Sequence, residues 1–274
     1  TRFLPVSWAR KMCIRDRTYA ARGRAVPFCM EEFKNRVALV TGASRGIGEA
    51  IAEVRGRANA AVAVNYRERR EAAEAVAQAI HHHGGSAAAF GADVASQAAV
   101  RTMVRDVEAR LGPIDILINN AGTAAARGLD DITEDDFDRT ISANLKSAFL
   151  CTQAVLPGMR ARRWGRIVNI SSIGARIGAG SVSVAYAAAK AGLEGMTRGY
   201  ALRLAAEGVT VNAVAPGLVD TEMGRPLIEA GVTNRIPVGR PGTGDEIAQT
   251  VMLLVGNGYI TGQTIMVNGG SLFS

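Results

Sequence analysis

Seven short apolar runs alternate with helical stretches along the 274 residues, and this alternation limits the fold more than any other property of the sequence. The runs are residues 37–40, 61–65, 87–91, 114–119, 166–171, 210–214 and 263–267. Helical periodicity fills the intervals: to about residue 57, then over 68–83, 96–111, 134–161, 185–207 and 245–255. Runs that are largely apolar, alternating with helices, need cover on both faces. A strand that returns only after a helix pairs in parallel, because a parallel pair requires a long crossover. The expectation is an α/β protein: a single doubly wound domain with a seven-stranded parallel sheet.

The first run leads directly into Thr41-Gly-Ala-Ser-Arg-Gly-Ile-Gly48. Glycines at 42, 46 and 48, between a strand and a helix, let the backbone approach a pyrophosphate, whose charge then meets N–H groups at the helix N-terminus. Gly42, Ser44, Arg45, Gly46, Ile47 and Gly48 are therefore candidate dinucleotide contacts. Far along the chain, Tyr186 and Lys190 stand four apart on a helix and so share a face. An ammonium beside a phenol favours phenolate and pulls the phenol's pKa from about 10 towards neutrality. Such a tyrosine can move a proton to or from a carbonyl or alcohol oxygen. Only Lys11, Lys34, Lys146 and Lys190 are lysines among 32 basic residues, so a lysine at 190 marks a site that needs a compact ammonium.

Ser172 lies fourteen residues before Tyr186, with Asn144, Asn119-Asn-Ala-Gly122 and Asp93-Val94 upstream and Pro216-Gly217 downstream. In this order and spacing the chain, from about Phe33 to Gly270, resembles the short-chain dehydrogenase/reductase superfamily. Within it, the likeness is to the branch of 3-oxoacyl-(acyl-carrier-protein) reductases and glucose dehydrogenases. The resemblance implies a Rossmann domain and hydride transfer between a nicotinamide and a ketone or secondary alcohol. In that scheme Tyr186 donates the proton in reduction, Lys190 faces it and holds ribose hydroxyls, and Ser172 hydrogen-bonds the substrate oxygen. The family's Ser–Tyr interval is commonly one residue shorter. Assigning the extra residue to the loop 178–185 leaves Ser172 rather than Ser171 catalytic. Asn144 would interrupt its helix and hold a water linking Lys190 to solvent; a solvent-facing helical Asn is the other reading.

The resemblance also implies that Asp93 and Val94 hold the adenine; a helix cap at Asp93 is the lesser reading. Asn120, Ala121 and Gly122 would line the carboxyl edge of the fourth strand, where Asn119 fits bracing of the sheet as well as function. Pro216, Gly217, Val219 and Thr221 would flank the nicotinamide. NAD-preferring relatives carry an acid at the end of strand two. Here that strand ends Val64-Asn65-Tyr66-Arg67, with no acid until Glu68. Asn65, Tyr66 and Arg67 are accordingly read as cofactor contacts, with Arg45 and Arg67 flanking the 2′-phosphate of NADP(H); NAD(H) use stays open, and so does a solvated Arg67. The leading expectation is an NADP(H)-dependent ketoreductase. An NAD-linked sugar or alcohol dehydrogenase and a non-catalytic nucleotide-binding regulator are the alternatives.

Charge narrows the partners. Residues 1–29 hold seven basic groups against one acid, a net of +6 within the chain's +7, so the remainder is nearly neutral and carries no footprint for nucleic acid. That leader shows no clear periodicity, and its Met12-Cys-Ile-Arg-Asp-Arg17 resembles a translated sequencing adaptor. It is expected to be disordered or artefactual, with the domain at 30–274. No apolar run is long enough to cross a bilayer. Three scattered cysteines fit a reducing cytoplasm, and adjacent His81, His82 and His83 exclude a metal site built on dispersed histidines. The family likeness implies a homotetramer packed through the helices 134–161 and 185–207. Acyl-carrier protein is doubtful as a dedicated partner: Arg163 is basic, but Glu207 is acidic where carrier-binding relatives place a base. Arg55 departs from the family by standing on the core side of the first helix, where only snorkelling would spare its charge; Asn59 is a milder departure.

Overall fold

The computed structural model describes residues 35–57, 60–124, 128–178 and 183–273. Seven strands form one sheet: β1 (Val37–Val40), β2 (Ala61–Tyr66), β3 (Ser86–Gly91), β4 (Ile114–Asn119), β5 (Gly165–Ile170), β6 (Val209–Pro216) and β7 (Thr264–Val267). Their spatial order is β3-β2-β1-β4-β5-β6-β7 and every pairing is parallel. The doubly wound expectation is met, down to the seven strands.

Period-two alternation divides the core. Val37 and Leu39 of β1 point into one apolar layer, Ala38 and Val40 into the other. The first layer is closed by α3 (Gln97–Leu111), α5 (Ser147–Ala161) and α7 (Val184–Leu204), through side chains such as Val107, Val155 and Leu204. The second is closed by α1 (Gly46–Arg57), α2 (Arg70–His82) and α9 (Gly244–Gly256), through Ile51, Ile80 and Val251. Each such fully buried aliphatic side chain contributes about 1.5–3 kcal/mol relative to exposure.

The helical stretch expected over 134–161 is three pieces: α4 (Glu134–Ile141), a π-turn at Ser142–Lys146, and α5. Thr133 starts it with a capping box, its hydroxyl accepting from the Asp136 N–H. The short α6 (Gly174–Ile177) follows Ser172 and had no sequence signal. The 216–237 flap contains α8 (Arg225–Glu229) and a 3₁₀ turn at Val232–Arg235. Arg55 does not snorkel. Its side chain is fully buried, Nη1 lies 3.4 Å from the Met252 thioether, and burial pushes the guanidinium pKa down to about 9. Residues 1–34 and Asn59 lie outside the described residues.

Candidate active site

Strand order reverses between β1 and β4, and such a switch point opens a crevice at the carboxyl ends of the strands. The Gly-rich turn fills one side of it. Gly42 and Gly46 have φ of 61° and 60°, a region costly for other residues. A Cβ on Gly42 would lie 2.9 Å from Ala121 Cα, and one on Gly48 would lie 2.5 Å from Asn120 Nδ2. Asn120 holds the turn from behind, donating from Nδ2 to the Thr41 and Gly42 carbonyls at 3.0 Å each. Buried Asn65 does the same from β2: its Oδ1 accepts from the Gly42 N–H at 3.1 Å and its Nδ2 donates to Phe90 and Ala92 carbonyls at 3.2 Å. Both asparagines therefore shape the turn. Ile47 and Gly48 open α1, where N–H groups lack intrahelical acceptors. A tight turn, close backbone approach and a helix N-terminus, whose first N–H donates to Glu49 Oε2 at 3.2 Å, fit a dinucleotide pyrophosphate.

The flanking residues surround the same edge. Asp93 is exposed and its Oδ1 accepts from the Ala95 N–H at 2.9 Å, while Ser96, not Asp93, caps α3; Val94 is buried. The Tyr66 phenol lies over Gly91, where a Cβ would come within 3.0 Å of its oxygen. Pro216 ends β6, Gly217 donates to the Val267 carbonyl at 2.9 Å, and Val219 pairs with Gly242. The Thr221 side chain faces Gly46, 3.4 Å from where a Cβ would stand, so flap and Gly-rich turn meet there. Asn119 braces the sheet: its Nδ2 donates to Asn169 Oδ1 at 2.8 Å and Thr152 Oγ1 at 3.2 Å.

At the outer end of the groove the pairing differs from the expected Arg45 and Arg67. Arg67 is bound by its neighbour Glu68, at 2.6 and 2.9 Å. Arg45 instead bonds Glu222 of the flap, and Arg69 grips the same carboxylate with both Nη atoms, at 2.9 and 3.0 Å. These hydrogen bonds hold the Glu222 carboxyl down at about 2. Neither Arg69 nor Glu222 was identifiable from the sequence, because their contact spans 153 residues.

At the inner end, Tyr186 and Lys190 project from the first turns of α7 with the Lys190 Nζ 5.6 Å from the phenol ring centre. Lys190 is buried; its Nζ donates to the Ile170 carbonyl at 2.8 Å, and burial lowers its pKa to about 8. Ser172, not Ser171, is the serine close to Tyr186, where its side chain opposes the rise in the phenol's pKa, and Ser172 Oγ accepts from the Gly174 N–H at 3.0 Å. Ser171 faces the other way, to the Lys190 carbonyl and Glu194. The expected drop in the phenol's pKa does not occur here. Burial raises it, and the ammonium is spent on a backbone carbonyl over the ring rather than beside the hydroxyl.

Asn144 explains the π-turn. Its Nδ2 donates to the Thr140 carbonyl at 2.9 Å, the oxygen a regular helix would offer to the backbone N–H of residue 144, and to the Thr123 carbonyl at 3.0 Å. Its Oδ1 is buried without a protein donor among the described residues. A Cβ on Gly122 would lie 2.5 Å from that oxygen and 3.5 Å from Lys190 Nζ, so glycine alone leaves the two room. Glu194, one turn beyond Lys190, ties this assembly to α6 by accepting from Arg176 at 3.2 Å and Ser171 at 3.3 Å. The i+4 spacing from Lys190 was the signal that could have found it.

Thus Asn144, Ser172, Tyr186 and Lys190 converge at the carboxyl edge of β4 and β5, beside a dinucleotide turn. Among the described residues no group of His, Cys, Asp or Glu could hold a metal ion, and no helix is long and apolar enough to cross a membrane. The chain is similar over 247 residues to 3-oxoacyl-(acyl-carrier-protein) reductase of Pseudomonas aeruginosa, at 42% identity covering 88% of this chain and 99% of that protein. A reductase of the same description from Staphylococcus epidermidis is also 42% identical, over 86% of this chain and 98% of its own. Acetoacetyl-CoA reductase of Shinella zoogloeoides is 44% identical, over 87% and 99%. The short chain dehydrogenase family model matches residues 36–230, from the first strand through the Tyr–Lys helix and into the flap. By that match and by this likeness along nearly its whole domain, the chain is an oxidoreductase that belongs to the short-chain dehydrogenase family.

Proposed function

We propose that the chain is an NADP(H)-dependent ketoreductase. The observation that carries this reading is the Tyr186 phenol, with the Ser172 side chain near it and buried Lys190 over its ring. The cofactor supplies hydride to the substrate carbonyl carbon when bound. Ser172 accepts from Gly174, which leaves its own proton to donate to the substrate oxygen. Tyr186 then transfers its proton to that oxygen: the phenol O–H bond breaks as the alcohol O–H forms. Asn144 Oδ1 is an acceptor for a water that returns a proton by way of Lys190. Gly42, Gly46, Ile47 and Gly48 would hold the pyrophosphate, Asp93 and Val94 the adenine, Lys190 the ribose, and Pro216, Gly217, Val219 and Thr221 the nicotinamide side.

The names of the relatives point to a 3-oxoacyl ester or thioester as substrate. We take acyl-carrier protein not to be a dedicated partner: Glu207 is acidic and is held by Arg160. A homotetrameric, cytoplasmic enzyme completes the proposal. Two guanidiniums meeting beside the end of β2, with no acid inside that strand, support NADP(H). Glu222 between them favours a second reading, an NAD-linked sugar or alcohol dehydrogenase. Turnover of a small β-ketoester with NADPH and with NADH, in the parent and in Arg45→Ala, decides between them. The expected result is an NADPH preference that drops about tenfold or more on losing Arg45. An NADH preference in the parent, or an Arg45→Ala enzyme that keeps its NADPH efficiency, rejects it.

A further inference from the structure

Glu222 sits where an anion from outside is expected. One carboxylate takes a two-pronged contact from Arg69, at 2.9 and 3.0 Å, and a second guanidinium from Arg45. Arg45 belongs to the Gly-rich turn, and Arg69 follows β2 by three residues; the two segments are joined at the Ala43 N–H, which donates to the Asn65 carbonyl at 2.8 Å. Arg67, another cation on this edge, is engaged by Glu68. Two planar donor forks around one anion match a phosphate monoester as well as a carboxylate. The cluster of two cations and one anion keeps a net positive charge, which a phosphate carrying −1.5 to −2 neutralises better than Glu222 does.

Resting on the NADP(H) reading, we infer that Glu222 is a tethered competitor for the seat of the cofactor's 2′-phosphate, and so a residue that sets how strongly this enzyme favours the phosphorylated cofactor. Glu222 follows Thr221, which packs on Gly46, so the carboxylate is delivered to this seat by the same flap segment that meets the Gly-rich turn. Its carboxyl is held at about 2, which keeps it ionised throughout the working pH range. Displacement by phosphate is an exchange of one exposed anion for another, and its effect is correspondingly moderate.

The test is calorimetric binding of adenosine 2′,5′-bisphosphate and of 5′-AMP to the parent and to Glu222→Gln, without turnover. Glutamine keeps the shape and removes the charge. The inference expects the variant to bind the bisphosphate roughly three- to tenfold more tightly than the parent, with 5′-AMP affinity within about twofold. A parent that prefers the bisphosphate, with a variant that gains nothing or loses affinity, overturns the role of Glu222 and leaves the cofactor reading standing. A parent that binds both nucleotides alike, with a variant that acquires a preference, upholds the role of Glu222 and overturns the NADP(H) assignment. Equal binding of both nucleotides by both proteins overturns the two together.

Discussion

At the chemical end of the groove, polar side chains are anchored to the main chain: Lys190 to the Ile170 carbonyl, Asn144 to Thr123 and Thr140, Ser172 to the Gly174 N–H. At the adenosine end Arg45, Arg67 and Arg69 are half exposed and hold only carboxylates. The contrast is energetic. Buried hydrogen bonds to charged groups contribute about 1.5–3 kcal/mol and cannot be exchanged for water without loss. Exposed ion pairs contribute about 0–1 kcal/mol and weaken with salt. One end is fixed by the fold, while the other is adjustable, and on the proposed function cofactor preference can shift there without disturbing the proposed proton-transfer residues.

Four measurements test that contrast. Tyr186→Phe should show the largest effect, a fall in kcat of about 10²–10⁴ with cofactor affinity nearly unchanged, since only the proton-carrying hydroxyl is lost. More than a few per cent residual activity would break the acid/base assignment. Gly122→Ala should come next. Its methyl would arrive 2.5 Å from Asn144 Oδ1, and displacing that side chain should lower kcat by roughly tenfold to a hundredfold. Wild-type kinetics in this variant would mean the inner end is softer than described.

The third measurement is stability against pH. Lys190 titrates near 8 in the folded chain and at 10.5 as an ordinary lysine, so its burial penalty is complete below pH 8. Between about 8 and 10.5 the unfolded chain binds the extra proton, and the folded state gains ground as pH rises. Urea unfolding of the parent and Lys190→Met at pH 7.5 and 9.5 should show the parent catching up by a few kcal/mol at most. An identical pH response in both would contradict the burial of the ammonium. Arg67→Ala should be the smallest: a change below about twofold in NADPH efficiency, because Glu68 already engages that guanidinium. A tenfold loss would restore Arg67 to the phosphate seat and blur the contrast.

The same division governs what the sequence made readable. Strands β1 to β7 announced themselves because each is a short apolar run, and the Gly-rich turn because sterics at Gly42 and Gly48 admit nothing larger. Tyr186 and Lys190 were legible through helical spacing, and Asn144 as a helix-interrupting residue, since its effect on hydrogen bonding is local. For Asn65, expected as a cofactor contact, the structure adds that its carboxamide is engaged inside, on Gly42 and the β3 side, a long-range pairing that the sequence does not show. The depressed phenol failed because spacing fixes which face Lys190 occupies but not which acceptor it chooses. Arg69 and Glu222 were invisible, being long flexible side chains whose meeting depends on how a distant flap folds back. The burial of Arg55 was foreseen as a cost, and the fold accepts it without snorkelling.

The π-turn at Ser142–Lys146 bears on how such a site can be gained or lost. The Ser147 N–H reaches back to the Ser142 carbonyl, five residues rather than four, so this segment holds one residue more than the α-helical path it replaces. Removing Leu145 or Lys146, between Asn144 and α5, would restore regular pitch, and each residue turns an α-helix by about 100°. Asn144 would swing away from Lys190, while α5 could keep its packing on β4. A descendant of this chain could therefore lose the proposed relay position through one in-frame codon deletion, with an intact fold and every other signature residue still in its sequence. Among relatives, inactive members would then be recognised by a gap in the alignment rather than by a substitution.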